Sequence, residues 1–163
     1  MGKKGLIAGA VGATLVAGAA VRGAFRRFAI VEDSMAPAIE AGDWVLAKRA
    51  IGVPDRGDVI TYPDPAATGR TIVKRVIGLP WERVGLESGR VTINGALLAD
   101  RWAQGITEPE GEWTVPEGHV WVLGDNRVAS STDSRTIGPV PISDIQWKVV
   151  GRYWPTSRAG TIG

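Results

Sequence analysis

Beyond Arg27 the chain is written in short apolar runs of four to eight residues, each cut off by a turn. The runs are Phe28–Val31, Trp44–Lys48, Asp58–Tyr62, Thr71–Ile77, Arg90–Ile93, His119–Leu123 and Trp147–Trp154. Their Val, Ile, Thr and Trp fit a pleated surface better than a helix. Gly42-Asp43, Pro63-Asp64-Pro65 and Pro116-Glu117-Gly118 punctuate them, and Asn94-Gly95 predicts a type I′ hairpin. With 22 glycines and 10 prolines among 163 residues, long helices have little room. The expectation is one mainly β domain over residues 28–155, followed by a flexible tail at 156–163.

Residues Gly5–Val21 form an uncharged stretch of 17, with Lys3 and Lys4 before it and Arg22 after it. A membrane-spanning helix needs about 17–25 residues, so this is a short candidate, weakly hydrophobic because Gly and Ala dominate it. Three readings stand: a transmembrane anchor over residues 1–27, a secretory signal cleaved near Ala17-Gly18-Ala19, or a core helix. The anchor is favoured over the core helix because nothing polar marks one of the segment's faces. The flanking charges are nearly balanced and set no orientation.

The basic pI of about 9.2 comes from this end. Residues 1–29 hold five basic side chains and no acid, while the other 134 residues hold 14 basic and 17 acidic groups, a net of −3. A mildly acidic domain lacks the clustered Lys and Arg that phosphate backbones require, so nucleic acid is excluded as a partner.

The chain has no cysteine and one histidine. Disulfide frameworks, thiolate–zinc sites, cysteine nucleophiles and multi-His metal sites are excluded, and no metal or cofactor is expected. A Ser-His-Asp triad would have to use His119, at the start of an expected strand, where a packed or exposed role is commoner. No glycine-rich phosphate loop opens a helix, and no acid spacing specifies a glycosidase pair.

Serine with lysine remains. Ser34 lies in Val31-Glu32-Asp33-Ser34-Met35-Ala36-Pro37, where an apolar strand runs into a proline-limited turn. That placement exposes a hydroxyl at a strand end, although an isolated serine there is normally a turn residue. Lys74 sits within Thr71-Ile72-Val73-Lys74-Arg75-Val76-Ile77, and alternation puts Ile72, Lys74 and Val76 on one face and Arg75 on the other. Desolvation between apolar neighbours favours the neutral amine, whereas an edge strand would let the lysine snorkel to water. A third segment, Gly124-Asp125-Asn126-Arg127 with Asp133-Ser134-Arg135, is either a solvated loop or a buried ion-pair scaffold.

Taken in order, these segments resemble the type I signal peptidases, membrane-bound Ser-Lys proteases of the S26 peptidase family. The resemblance rests on Ser34-Met35-Ala36-Pro37, Gly42-Asp43-Trp44, Arg56-Gly57-Asp58-Val59, Val73-Lys74-Arg75-Val76-Ile77-Gly78 and the Gly-Asp-Asn-Arg segment, and covers most of residues 28–154. It implies a signal-peptidase-like β-barrel or sandwich with an N-terminal transmembrane helix and a short variable insertion at 81–116. It implies Ser34 as nucleophile, Lys74 as general base and Ser131 as the hydroxyl that orients the amine. Asp125, Arg127, Asp133 and Arg135 become supporting ion pairs, and Ile30, Val31 and Ile72 line shallow substrate pockets. The partners implied are preprotein signal peptides and the lipid bilayer. The expected setting is a monomer, single-pass in the cell membrane, with its catalytic domain on the extracytoplasmic side.

Three departures matter. Members often carry Ser, Thr or Gly where this chain has Glu32, and an ionised carboxylate donates nothing to an oxyanion. The loop from Arg127 to Asp133 is one residue longer than usual, so Ser130 competes with Ser131. Trp81-Glu82 replaces a common Gly-Asp. Trp81, Trp102 and Trp113 are read equally as membrane-seating or core residues. Rival functions are a maturation protease dedicated to one partner, an autoproteolytic repressor without the expected helix-turn-helix, and a catalytically silent membrane-tethered β module.

Overall fold

The computed structural model describes residues 23–66 and 68–162. The expected strands form, with boundaries shifted by up to three residues: β1 (Phe25–Ala29), β2 (Trp44–Arg49), β3 (Val59–Pro63) and β4 (Thr71–Gly78). Further along come β5 (Arg83–Glu87), β6 (Arg90–Ile93), β7 (Ala96–Leu97), β8 (Gly111–Thr114), β9 (His119–Leu123), β10 (Val140–Pro141), β11 (Trp147–Trp154) and β12 (Gly160–Thr161). A single helical turn, α1 (Ser134–Ile137), is capped by the Asp133 side chain.

The larger sheet runs β1-β2-β11-β3-β4-β9-β10, with β12 added to β11. The smaller runs β7-β6-β5-β8, within the 81–116 stretch. Asn94 and Gly95 have φ of 53° and 80°, the left-handed pair that a type I′ turn demands between β6 and β7. The sequence pattern missed β5 because Gly85 interrupts it; a side chain there would strike Thr92 Oγ1 across the hairpin, at 2.3 Å.

β3 is buried on both faces, Val59 to one side and Ile60 and Tyr62 to the other. The smaller sheet covers the far end of β4 and β9, where Val84, Leu86 and Val91 pack with Ile77, Trp121 and Leu123. Trp102 and Trp113 join this packing and Trp81 faces outward. β3 pairs with Thr71–Arg75 of β4 and β9 with Arg75–Gly78, so at Thr71–Lys74 β4 pairs with β3 alone among the described residues.

The tail expected to be flexible is docked. β12 pairs with Gly151 and Arg152 of β11, Ile162 packs on the Met35–Val149 core, and Arg158 bonds to Glu40 and to the Pro37 carbonyl. The composition of 156–163 carries no such signal, because Glu40 and Pro37, which Arg158 reaches, lie more than 100 residues upstream. Among the described residues no helix is long and apolar enough to cross a membrane; the uncharged stretch at 5–21 lies outside them.

Candidate active site

β1 ends as the chain leaves β2. Ile30 still exchanges backbone bonds with Gly42 and Asp43, and then the segment turns through Ser34 into a buried Met35. β4 carries Lys74 opposite Ile60, between Ile72 and Val76 on one face. The two segments converge: the Lys74 amine donates to Ser34 Oγ at 2.8 Å, and Lys74 is 3% exposed. Burial pulls the Lys74 pKa down to about 8, against the carboxylates of Asp133 and Glu32; the Arg135 cation adds to the lowering. The snorkelling reading therefore fails: β4 has a free edge at Lys74, yet the side chain is buried and turns to Ser34.

The segment at 124–135 is a buried scaffold. Arg75, on the opposite face of β4 from Lys74, grips both oxygens of Asp125 at 2.8 and 2.7 Å. The Asn126 N–H donates to the Ser34 carbonyl at 3.1 Å, so this loop directly braces Ser34. Gly124 allows that approach: a Cβ there would sit 2.5 Å from the Ser34 carbonyl oxygen and 2.3 Å from Ser130 Oγ. Arg127 donates to the Gly124 carbonyl, to Thr107 Oγ1 and to Asp100. Arg135 donates to both Asp133 oxygens and to the carbonyls of Arg127 and Ser130. Burial raises the Asp133 pKa, but bonds from Arg135 and Ser130 outweigh it and hold this carboxyl below its ordinary value.

The two serines between which the resemblance left a choice differ in burial. Ser131 is exposed and offers only its carbonyl, to Thr136. Ser130 is 7% exposed and donates to Asp133 Oδ2 at 2.6 Å. Its N–H closes on the Asn126 carbonyl, so the extra residue of the loop falls after Ser130 and pushes Ser131 outward.

Beside the pair lies an open cleft of about 250 Å³ between the β1 exit and the first half of β4. Ile30 and Ile72 form its walls and Val31, 79% exposed, its rim. Glu32 turns to Arg70 at 3.2 Å across the mouth, and both residues line the cleft. His119 engages the Glu117 carbonyl and takes no part. Asp100, Thr107 and Gln104, whose backbone bonds to Asp125 and Arg127, are support residues that sequence reading missed. Only a buried Arg75 in an apolar strand hinted that such partners were needed.

A buried amine bonded to a serine hydroxyl, on a β scaffold and beside an apolar cleft, is the arrangement a serine hydrolase would need if lysine stood where histidine usually serves. Comparison with known proteins agrees. The family model described as "Signal peptidase, peptidase S26" matches residues 4–154. Signal peptidase I of Leptolyngbya laminosa is 36% identical over 147 residues, covering 82% of this chain and 71% of the relative. Signal peptidase I of Bacillus caldolyticus is 36% identical over 149 residues, covering 80% of each. The crystal structure of a signal peptidase I from Enterococcus faecalis V583 superposes with a TM-score of 0.51 at 33% identity, covering 59% of this chain and 96% of that one. The chain belongs to the signal peptidase family, peptidase S26, and is a serine endopeptidase.

Proposed function

We propose that the protein removes N-terminal signal peptides from exported preproteins, with Ser34 as nucleophile and neutral Lys74 as general base. The observation that carries this reading is the 2.8 Å contact between Lys74 Nζ and Ser34 Oγ, buried beside a cleft open to an extended chain. Once deprotonated, Nζ accepts the Ser34 proton as Oγ attacks the scissile carbonyl. The ammonium returns that proton to the leaving amine, which departs and leaves an acyl ester on Ser34. Lys74 then deprotonates a water, which attacks the ester and releases the signal peptide; the proton goes back to Oγ.

The free edge of β4 at Thr71–Lys74 accepts substrate as an added strand, with main-chain bonds for affinity. Ile30 and Ile72 leave shallow room, which favours small residues such as alanine one and three positions before the cut. Glu32 is engaged by Arg70 and offers the oxyanion no donor, so the backbone N–H of Ser34 serves it. Ser130, not Ser131, orients the amine together with Asp133. The anchor expected over residues 1–27 is the uncharged stretch at 5–21, since Phe25–Arg27 stand in β1, and it holds the chain in the cell membrane with the peptidase domain on the extracytoplasmic side.

Full-length protein in detergent, given a panel of unrelated preproteins with Ala-x-Ala sites, is expected to cleave them all after the second alanine. Cleavage of a single partner would replace a general role with a dedicated one. Ser34→Ala and Lys74→Ala are each expected to abolish the products; full cleavage by either overturns the assignment.

A further inference from the structure

Most described arginines of the larger sheet and its loops are tied to carboxylates or carbonyls. Arg26 and Arg49 are held differently. Arg26 lies 5.3 Å over the Phe28 ring and Arg49 lies 5.7 Å over the Trp147 ring, and neither takes part in an ion pair or side-chain hydrogen bond among the described residues. Stacking occupies the face of a guanidinium and leaves its N–H edge free. The register pairs Arg26 with Ala47, so Arg49, two residues on, is its diagonal neighbour on the same face. Arg26 and Arg49 line one open cavity of about 290 Å³, and Gln146 lines it with them. Asp144 is in the same turn, where it accepts from Ser143 Oγ at 3.3 Å, and it pairs with no arginine among the described residues.

Two forked donors on one cavity, uncompensated by acid, match a phosphate group. The surroundings select the source. Val21, the end of the uncharged stretch, is four residues before Phe25, which limits their separation to about 14 Å. Phe25 is 44% exposed at this end, and Ile51 and Val53, just past Arg49, are 91% and 59% exposed. Lys48, paired in register with Phe25, points to the opposite face of β2 and forms no ion pair among the described residues. Apolar side chains beside free cations suit the boundary between acyl chains and anionic headgroups.

We propose that Arg26 and Arg49 form a binding site for the phosphate of an anionic phospholipid. It lies on the end of the β1–β2 ribbon away from the catalytic cleft, and this choice of source rests on the reading of residues 5–21 as a membrane anchor. Occupied, the site pins the domain at a fixed height on an anionic leaflet.

The test uses the full-length chain in neutral detergent micelles, titrated with dihexanoyl phosphatidylglycerol and followed by tryptophan emission, because Arg49 covers Trp147. Saturable binding is expected in the wild type, with Kd at least tenfold weaker in R26Q/R49Q and unchanged in R83Q/R90Q on the smaller sheet. Dihexanoyl phosphatidylcholine is expected to bind at least tenfold more weakly than phosphatidylglycerol. Equal binding by R26Q/R49Q, or equal loss in R83Q/R90Q, overturns the site. An arginine-dependent response to inorganic phosphate as strong as that to phosphatidylglycerol overturns the lipid source. Unaltered preprotein cleavage by R26Q/R49Q verifies its fold, and if cleavage is lost the single variant R26Q, at an exposed strand end, carries the same comparison. Wild-type cleavage and resistance to alkaline extraction from membranes report separately on the peptidase and anchor readings, so either can fail without the titration failing.

Discussion

Arg75 and Asp125 meet in a two-pronged ion pair whose side chains are 0% and 1% exposed. Arg75 follows Lys74 in β4 and points to the opposite face, so one strand holds the candidate base on one side and locks the 124–135 loop on the other. Removing one partner of a buried pair strands the other charge and costs about 3–5 kcal/mol, whereas replacing both with apolar groups costs far less. Arg75→Met is therefore expected to destabilise by that amount and the double variant Arg75→Met/Asp125→Leu by less, in urea unfolding at pH 7. Additive losses would contradict this account.

Lys74 links stability to activity through pH. Its pKa is lowered from 10.5 to about 8 by burial, so the charged form is the one the fold disfavours. Below pH 8 both folded and unfolded chains carry the proton and the folded state bears a penalty of about 3 kcal/mol, at about 1.4 kcal/mol per unit. Between pH 8 and 10.5 the folded amine is neutral while the unfolded one still holds its proton, and the penalty fades as pH rises. Lys74→Met is expected to be inactive yet more stable than wild type at pH 7, with the margin closing by about pH 10.5. Wild-type kcat/KM is expected to rise tenfold per pH unit and level off near pH 8. A profile flat from pH 6 to 9 would rule out the neutral amine as base.

How much of this was legible depended on range. Lys74 was readable because two-residue alternation fixes its face, and Ser34 because a strand meets a proline turn. The strand boundaries followed from β-branched runs and turn residues, which are local signals. Asp100 and Thr107 were not readable, since their roles depend on the smaller sheet folding back so that Arg127 reaches them. Ser130 against Ser131 was undecidable from spacing, because a one-residue insertion is absorbed by whichever turn closes, here the Ser130–Asn126 bond. The docked tail failed to show for the same reason: Arg158 pairs with Glu40 across 118 positions.

Ser130 and Ser131 are adjacent and chemically identical, so exchanging each for alanine isolates position. Ser130 Oγ donates to a buried carboxylate, a charge-assisted bond worth about 1.5–3 kcal/mol. Ser130→Ala is expected to lower kcat by roughly tenfold to a hundredfold and to shift the pH at which kcat levels off, while KM stays near wild type. Ser131→Ala is expected to leave all three unchanged. A shift confined to stability would reduce Ser130 to a packing residue.

Gly124 tests whether the nucleophile is held by the loop. Its backbone passes so near Ser34 that a methyl group would sit 2.5 Å from the Ser34 carbonyl oxygen and 2.3 Å from Ser130 Oγ, well inside contact distance. Something must move. The Ser34 segment has the looser restraint, since it hangs on the Asn126 bond, whereas Asp125 is clamped by Arg75. Overpacking of this kind costs about 1–3 kcal/mol of stability, which the fold should survive, but a shift of even 1 Å in a reacting atom can cost about a hundredfold in rate. Gly124→Ala is expected to unfold cooperatively with a modestly lowered midpoint and to lose at least tenfold in kcat. Measuring both on one preparation separates the effects: wild-type kcat with lowered stability would show that the loop yields and Ser34 stays in place.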